Sequence, residues 1–428
     1  MMKTRIYNAR ILTMEEGRKI FRGELGIEDG RIFYIGEGNG YEGPAAWDEE
    51  IDAQGNLIMP GFKNAHTHSP MTFLRSYADD MKLQEWLFDK VFPAEAKLTG
   101  DDVYWLTKLA IMEYLTSGTT AVFDMYKLKG DCARAARECG FQMVFCGDIN
   151  DFGGTLEEME QDYLAYNKES EELLAYRIGF HAEYTTSREL MEKIAALADK
   201  YSAPVYVHCS ETKREVDECK ERSGMTPVAY MASLGLFRHG GGLFHGVHVE
   251  EEDFEIIQKN GIGVVTNPAS NLKLASGIAP VKKYLDKGIT LAIGTDGPAS
   301  NNCLDMFREM FLATGLQKVV CDDPEAVPAM DVLKMATING ARVMGLDDCD
   351  VLAVGKRADL IMIDVMQPNM QPLHNIEKNV VYSGSKQNVK MTMVNGNVLY
   401  RDGRFYINES PEAIYENANR IARRILGE

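Results

Sequence analysis

The sequence has no excess of positive charge, and this limits the partners that it can bind. It contains 46 Lys and Arg residues against 64 Asp and Glu residues, which gives a formal net charge of −18 at pH 7. No cluster of basic residues interrupts this acidic background. A phosphate backbone or an anionic membrane surface would repel such a chain, so we expect neither nucleic acid nor a membrane as a partner.

Long apolar runs and paired cysteines are also missing. Residues 1–10 contain no apolar core of signal-peptide length, and no later run approaches the roughly 20 residues of a membrane-spanning helix. The eight cysteines include no Cys-x-x-Cys pair, a usage that favours reduced thiols over a disulfide framework. These absences predict a soluble cytoplasmic protein. The 428 residues, 45% of them hydrophobic, are enough to bury a large core.

Both ends of the chain have the texture of short antiparallel strands. Residues 3–37 alternate β-forming residues with glycines and charged turns, and a similar pattern between residues 358 and 400 includes the hairpin signal Asn395-Gly396. We therefore predict one small β-sandwich domain built from residues 1–58 and 355–408. Residues 409–428 carry a Ser cap, a Pro at the first helical position and apolar residues on one face, which predicts an amphipathic helix packed on the body.

Residues 59–354 have a different rhythm, in which short apolar runs alternate with helical stretches. This pattern is typical of an α/β protein with a (β/α)8 TIM-type barrel. The eight predicted strands end near polar residues: His66 and His68, Asp124, Asp148, His181, His208, His245, Asn267 and Asp296. Because the carboxyl ends of barrel strands form one face, we expect these side chains to converge there.

The His66-Thr67-His68 motif follows an apolar run and predicts a pair of metal ligands. Residues two apart on an extended chain point to the same side, so both imidazoles can face one ion. Together with His208 and Asp296 they form a ligand set that suits one Zn²⁺ with an open position. Each residue alone is better explained by hydrogen bonding at a strand end, or in the case of Asp296 by an Asp-Gly turn. Five of the eight histidines lie at predicted strand ends, and this joint placement favours the metal site.

Several motifs together resemble the amidohydrolase superfamily, and within it the branch of methylthioadenosine/S-adenosylhomocysteine deaminases, guanine deaminase and triazine hydrolases. The motifs are Pro60-Gly61-Phe62 with His66-Thr67-His68, Pro70-Met71-Thr72, Glu85-Trp86-Leu87, His208-Cys209-Ser210-Glu211-Thr212, His245-Gly246-Val247-His248, Asn267-Pro268-Ala269-Ser270-Asn271, and Gly294-Thr295-Asp296-Gly297 with Ser300-Asn301-Asn302. The resemblance implies a distorted barrel carrying a β-sandwich. It also implies one divalent metal ion, Zn²⁺ or alternatively Fe²⁺, Mn²⁺ or Ni²⁺, and leaves a homo-oligomer open.

The resemblance further implies hydrolytic deamination, in which metal-bound hydroxide attacks the amino-bearing ring carbon and ammonia leaves. Asp296 would take the proton of the water, His245 would assist that transfer, and Glu211 would contact the substrate and protonate its ring nitrogen. A two-metal site would require a bridging Lys or Glu at the end of the fourth strand. Since His181 stands there, we predict one metal ion.

The substrate predicted from this resemblance is an adenine nucleoside. Glu85 and His181 match positions that hold the ribose hydroxyls in adenosine-type deaminases. The loop after the third strand has no arginine to pair with a distal carboxylate and carries Asp148 and Asp151 instead. We therefore expect adenosine, methylthioadenosine or 5′-deoxyadenosine to be preferred over S-adenosylhomocysteine.

Three alternatives remain at this point. The chain could deaminate another purine or a pterin base, it could be a triazine amino- or chlorohydrolase, or it could be a non-enzymatic binding protein of the same fold. Glu211 favours loss of ammonia over loss of chloride, and the complete ligand set argues against a binding protein. The zinc deaminases with a Pro-Cys-x-x-Cys motif are excluded because that motif is absent.

Overall fold

The computed structural model describes residues 2–38, 40–41, 43, 46–168 and 170–427. Strands from the amino-terminal part contribute to a mixed sheet. They are β1 Lys3–Ile11, β2 Phe21–Glu28, β3 Arg31–Glu37, β4 Glu49–Asp52 and β5 Leu57–Pro60. As predicted, β1, β2 and β3 form an antiparallel meander, in which alternating residues of β1 face the core.

The next eight strands form the barrel. They are β6 Phe62–Thr67, β7 Thr119–Met125, β8 Gln142–Cys146, β9 Leu174–Ala182, β10 Val205–Cys209, β11 Gly241–His245, β12 Ile262–Thr266 and β13 Leu291–Ile293. Neighbours in the chain are parallel neighbours in the sheet. Most are buried along their whole length, as strands covered on both faces must be.

The carboxyl-terminal strands complete the mixed sheet. They are β14 Leu360–Ile363, β15 Val389–Val394, β16 Asn397–Arg401 and β17 Arg404–Phe405. The order is β17-β16-β15-β14-β5-β1-β2-β3, with β4 also paired to β1. The fold class predicted from sequence is confirmed: an α/β protein with a (β/α)8 barrel and a small β domain made by both ends of the chain. The domain boundaries at 58/59 and 354/355 remain a prediction, since β5 runs into β6 through Gly61 alone.

Helices cover the outside of the barrel and connect its strands. The α-helices are α1 Leu83–Trp86, α2 Phe92–Glu95, α3 Gly100–Thr116, α4 Lys129–Cys139, α5 Leu156–Tyr166, α6 Arg188–Tyr201, α7 Lys213–Ser223, α8 Pro227–Ser233, α9 Glu251–Lys259, α10 Pro268–Lys273, α11 Val281–Asp286, α12 Pro298–Asn301, α13 Met306–Val320, α14 Ala329–Ala336, α15 Ile338–Met344, α16 Ile376–Tyr382 and α17 Pro411–Leu426. A π-helical turn, Leu87–Val91, separates α1 from α2. Within the described residues, no helix combines the length and the apolar character needed to cross a membrane.

The last helix, α17, has the features expected from its sequence. The Ser410 side chain accepts a hydrogen bond from the Ala413 backbone N–H at 3.2 Å, and Pro411 is the first helical residue. Its apolar face is buried, namely Ile414, Ala418, Ile421 and Ile425. The helix packs on α3, to which Arg424 forms an ion pair with Asp102.

The first and last barrel strands are joined by polar contacts at their carboxyl ends. The backbone N–H of Asp296 donates to the carbonyl of His66 at 2.9 Å. The Asn64 side chain donates to Thr295 Oγ1 at 2.7 Å and accepts from the Thr295 backbone N–H at 2.9 Å. Gly294 allows this approach, because a Cβ there would lie 2.8 Å from the backbone nitrogen of His66. The closure places His66 beside Asp296.

A buried ion pair joins the barrel to the mixed sheet. The Lys63 side chain is fully buried, donates to Thr120 Oγ1 at 2.7 Å and lies 3.8 Å from Asp359 Oδ2. Asp359 immediately precedes β14, which pairs antiparallel with β5. Both ends of the chain are therefore tied to the base of the first barrel strand.

Candidate active site

The carboxyl ends of β6 and β10 and the turn after β13 bring the four predicted metal ligands together. His66 Nε2 lies 3.1 Å from His208 Nε2 and 3.5 Å from Asp296 Oδ1, and His68 Nε2 lies 3.1 Å from Asp296 Oδ1. His66, His208 and Asp296 are buried, and the side chain of His68 is 12% exposed.

The spacing of these atoms fits a tetrahedral metal ion. Ligand atoms about 2.0–2.1 Å from a tetrahedral Zn²⁺ lie roughly 3.3 Å from one another, and the three distances above bracket that value. Two groups of three residues have ligand atoms within 4.8 Å of one another, namely His66, His68 and His208, and His66, His245 and Asp296. The donors present therefore fit one divalent ion.

Hydrogen bonds behind two of the three imidazoles orient them toward this point, while His66 Nδ1 has no hydrogen-bond partner. His68 Nδ1 donates to the carbonyl of Met125 at 2.6 Å, and His208 Nδ1 donates to the carbonyl of His181 at 2.7 Å. Each bond fixes the tautomer that leaves Nε2 free as a ligand. Asp296 Oδ2 accepts hydrogen bonds from the Ser270 and Ser300 hydroxyls at 2.6 and 2.8 Å, which leaves Oδ1 facing the histidines.

His245 and Glu211 lie beside the ligand cluster. The two side chains are buried, and His245 Nε2 is 3.8 Å from Glu211 Oε2. His245 Nδ1 donates to Asn271 Oδ1 at 2.8 Å, so Nε2 is unprotonated in the neutral ring. The backbone of His245 lies in the left-handed region with φ of 76°, as does Asp296 with φ of 58°. Such strain in residues with side chains is typical of functional sites.

Glu211 is held in place from two directions. Glu215 accepts hydrogen bonds from the backbone N–H groups of Ser210 and Glu211 at 2.7 and 2.8 Å, which fixes the start of α7. The Ser276 hydroxyl donates to Glu211 Oε1 at 3.2 Å, and the Ser276 carbonyl accepts from His248 Nε2 at 2.6 Å. Burial raises the pKa of the Glu211 carboxyl, which favours its protonated form.

A cavity of about 670 Å³ opens in front of this cluster. Among its lining residues are His68, His208, Glu211, His245 and Asp296. His181, at the end of β9, also lines it. The Thr185 hydroxyl donates to the Ala182 carbonyl, so His181 Nδ1 donates to Thr185 Oγ1 at 2.9 Å. This tautomer leaves His181 Nε2 as an acceptor.

The structure places Glu85 outside the cavity lining, and the ribose role predicted for it stays a prediction. Glu85 is exposed on α1 and is not among the residues that line the cavity. Glu95, at the end of α2, lines the cavity instead and is only 7% exposed. Its Oε1 has no hydrogen-bond partner, and burial raises the pKa of its carboxyl.

Two lysines that sequence reasoning missed change the electrostatics of the outer cavity. Lys127 and Lys129 follow β7, and both line the cavity. Lys129 Nζ lies 2.5 Å from Asp148 Oδ1, and Lys127 Nζ donates to the Glu95 carbonyl at 2.8 Å. Asp148 is therefore neutralised by an ion pair. Asp151 accepts from the Ser187 hydroxyl at 2.9 Å and does not line the cavity, so the repulsion of a carboxylate expected from these two aspartates is weakened chiefly by the ion pair of Asp148.

The chain was compared with known proteins. Residues 57–399 match the Amidohydrolase family. The chain belongs to the amidohydrolase family. It is similar to a 5-methylthioadenosine/S-adenosylhomocysteine deaminase of Desulforamulus reducens, with 40% identity over 429 positions and 99% of each chain covered. It is also similar to a 5′-deoxyadenosine deaminase of Methanothermobacter thermautotrophicus, with 39% identity over 414 positions that cover 95% of this chain and 96% of the relative.

A solved structure shares the fold of this amidohydrolase. The crystal structure of an adenosine deaminase from Xanthomonas campestris with bound zinc superposes with a TM-score of 0.94 at 30% identity, covering 100% of this chain and 99% of that one. The resemblance predicted from the motifs is confirmed. The amidohydrolase is an enzyme that hydrolyses carbon–nitrogen bonds in cyclic amidines, and its family is metal-dependent.

Proposed function

We propose that this amidohydrolase is a deaminase of adenine nucleosides that uses one divalent metal ion held by His66, His68, His208 and Asp296. The observation that carries the proposal is the position of Glu211. This buried carboxyl with a raised pKa faces the cavity beside the ligand cluster. A protonated carboxyl at this point can donate to a ring nitrogen of a heterocyclic amine. The relatives named as nucleoside deaminases support the same reaction.

Each residue near the cluster has a separate task in the proposed reaction. A divalent ion at the ligand cluster would lower the pKa of a bound water and so supply hydroxide near neutral pH. Asp296 would receive the proton of the nucleophile, and His245 Nε2 would accept a hydrogen bond from it. Glu211 protonates the ring nitrogen next to the amino-bearing carbon. The proton received by Asp296 would then pass to the amino group, and ammonia would leave as the tetrahedral carbon becomes a carbonyl.

The ribose is assigned to His181 and Glu95. Both line the cavity, and each has an acceptor without an internal partner: His181 Nε2, and Glu95 Oε1. A ribose hydroxyl can donate to His181 Nε2 directly, and to the Glu95 carboxyl once that side chain turns toward the cavity, since Oε1 is shielded from solvent. Buried acceptors that lose water on substrate binding discriminate strongly against analogues that lack the matching hydroxyl, so this pair favours a nucleoside over a free base.

The proposed metal ion is Zn²⁺. The three imidazoles and one carboxylate are ligands that zinc accepts, and the similar adenosine deaminase of Xanthomonas campestris contains bound zinc. Fe²⁺, Mn²⁺ and Ni²⁺ use the same donor types.

A panel of substrates tests the proposed function. Purified enzyme loaded with Zn²⁺ is assayed with adenosine, methylthioadenosine, 5′-deoxyadenosine, S-adenosylhomocysteine, guanine and a chlorotriazine, and ammonia release is measured. We expect the highest kcat/KM among the first three compounds. Activity confined to guanine or to the triazine would contradict the proposal and would remove the ribose roles of His181 and Glu95. S-adenosylhomocysteine as the best substrate would contradict the expected preference for an uncharged 5′ substituent.

A further inference from the structure

Glu309 is a buried carboxyl that the proposed reaction does not use. It lies on α13, is fully buried and does not line the cavity. Burial raises the pKa of this carboxyl to about 8, because the charged form loses its hydration. An apolar side chain of similar volume would fill the same space without that cost. The carboxyl is therefore explained by the hydrogen bonds that it accepts.

Both oxygens of Glu309 accept hydrogen bonds from other helices. The backbone N–H of Ala269, in the first turn of α10, donates to Oε2 at 2.9 Å. An N–H group in this position has no acceptor within its own helix. Asn301, the last residue of α12, donates through Nδ2 to Glu309 Oε1 at 2.7 Å and to the Thr295 carbonyl at 2.6 Å. Glu309 thus connects α13 to two short helices.

The neighbours of these two contacts hold Asp296. Ser270 follows Ala269 in α10, and its hydroxyl donates to Asp296 Oδ2 at 2.6 Å. Ser300 precedes Asn301 in α12, and its hydroxyl donates to the same oxygen at 2.8 Å. If either helix shifted, a serine would move away from Oδ2, and the carboxylate would be free to rotate.

The helix α10 also holds His245. Asn271 lies two residues after the N–H group that Glu309 accepts from, and its Oδ1 accepts a hydrogen bond from His245 Nδ1 at 2.8 Å. One buried carboxyl is therefore connected, through adjacent residues of α10, to both Asp296 and His245.

From these contacts we propose that Glu309 is a positioning residue, which holds α10 and α12 so that Asp296 Oδ1 faces the histidine ligands and His245 stays beside Glu211. Glu309 touches neither the substrate cavity nor a ligand atom, and acts through Ser270 and Ser300. Its effect on turnover rests on the proposed function. Its effect on metal affinity depends only on the ligand cluster.

Two substitutions of Glu309 test the inference. Glu309→Gln keeps one acceptor but turns an NH₂ group toward one of two donors, and Glu309→Met removes both acceptors. Zn²⁺ affinity is measured by competition with a chelator, and kcat and KM are measured with adenosine at saturating Zn²⁺. In Glu309→Met we expect Zn²⁺ affinity and kcat each to fall about 10–100-fold, as when other partners of metal ligands are removed. The loss in Glu309→Gln should be smaller, and KM should change little, because the residues assigned to the ribose lie on other elements.

Thr314→Val is the matched control. Thr314 is fully buried on the same helix, and its hydroxyl donates to the Val327 carbonyl at 2.7 Å. Its removal should lower the free energy of unfolding but leave Zn²⁺ affinity and kcat unchanged. If the Glu309 variants lose no more Zn²⁺ affinity than Thr314→Val, the inference is overturned; Glu309→Gln, the milder change, decides if Glu309→Met does not fold. If the unaltered enzyme deaminates no nucleoside, the proposed function fails, and the comparison of Zn²⁺ affinities still decides the role of Glu309.

Discussion

Glu211 depends on neighbouring groups for both its position and its proton. Glu215 fixes its backbone and Ser276 its side chain, while burial raises the pKa of the carboxyl. Two buried carboxyls of the cavity lining lie close to His245, and because Asp296 is assigned to the metal ion, Glu211, 3.8 Å from His245, is left to act as the acid. The proposed proton transfer therefore depends on this one side chain.

Replacing Glu211 by Gln tests that dependence. The amide keeps the shape of the side chain but cannot donate a carboxyl proton, so we expect kcat to fall about 10²–10⁴-fold with adenosine. Metal content, measured by elemental analysis, should be unchanged. Glu221→Gln, an exposed position on the same helix, should have near-normal activity. A metal-loaded Glu211→Gln enzyme with ordinary turnover would exclude the assigned role.

The ribose assignment can be tested with a pair of glutamates ten residues apart. Glu95→Gln should lower kcat/KM for adenosine about tenfold, because a hydrogen bond to a charged group contributes about 1.5–3 kcal/mol and the amide keeps one acceptor. The effect should vanish with 2′,3′-dideoxyadenosine, which lacks both hydroxyls. Glu85→Gln is measured in parallel, and a loss on adenosine in that variant alone would favour the ribose contact predicted from the sequence. Equal losses on both nucleosides would show that Glu95 does not contact the ribose.

The same two glutamates show what the sequence could and could not predict about single residues. His66, His68, His208 and Asp296 could be predicted to converge, because parallel barrel strands end on one face and each of these residues closes a recognisable apolar run. Glu85 and Glu95 lie on either side of the π-helical turn Leu87–Val91. A π-helical turn changes the rotation per residue, so helical periodicity could not indicate which glutamate faces the cavity.

At the scale of elements, the contact between β6 and the turn after β13 decides whether the metal ligands meet. Gly294 lies where a Cβ would be 2.8 Å from both the backbone nitrogen and the Cβ of His66 and 2.5 Å from Asn267 Oδ1. The backbone cannot move aside without shifting His66. The position therefore connects barrel closure to the geometry of the metal site.

Gly294→Ala is expected to damage both stability and metal binding. Overpacking of a tight interior costs about 1–3 kcal/mol, which denaturant unfolding would detect, and Zn²⁺ affinity should fall with it. Gly315→Ala provides the control, since that glycine lies inside α13 and its added Cβ would meet only Phe311 at 3.9 Å. There the change should be neutral or stabilising by up to about 1 kcal/mol. If Gly294→Ala bound Zn²⁺ with unchanged affinity, the connection between barrel closure and the geometry of the metal site would be contradicted.

Element positions were well predicted, whereas contacts between elements were not. All eight barrel strands occur at the runs that the sequence indicated, because buried parallel strands are continuous apolar runs. Lys127 and Lys129 were missed for a different reason. They follow the second barrel strand, whereas the charge facing the substrate was predicted only from the loop after the third strand. The ion pair of Lys129 with Asp148 depends on how these two loops pack.

At the scale of the whole molecule, we expect a metal ion in the ligand cluster to contribute to stability as well as to activity. Holding buried imidazoles and a carboxylate close together without an ion costs free energy of folding. An ion that binds the folded state and not the unfolded state therefore stabilises the folded protein. Chelation should abolish deamination and lower the Tm, and added Zn²⁺ should restore both. At a free concentration 100 times Kd the gain is about 2.7 kcal/mol. The restored enzyme should contain one ion per chain; two ions per chain would contradict the single-metal site.

The mixed sheet also determines the order in which a newly synthesised chain can fold. Strand β5 pairs with β14, which the ribosome produces about 300 residues later. At 5–20 residues per second this interval is roughly 15–60 s. Until then the side of β5 that β14 will cover remains an open strand edge, which can pair with other nascent chains. Molecular chaperones that protect growing polypeptides would therefore act on residues 57–60, while the barrel strands are still emerging.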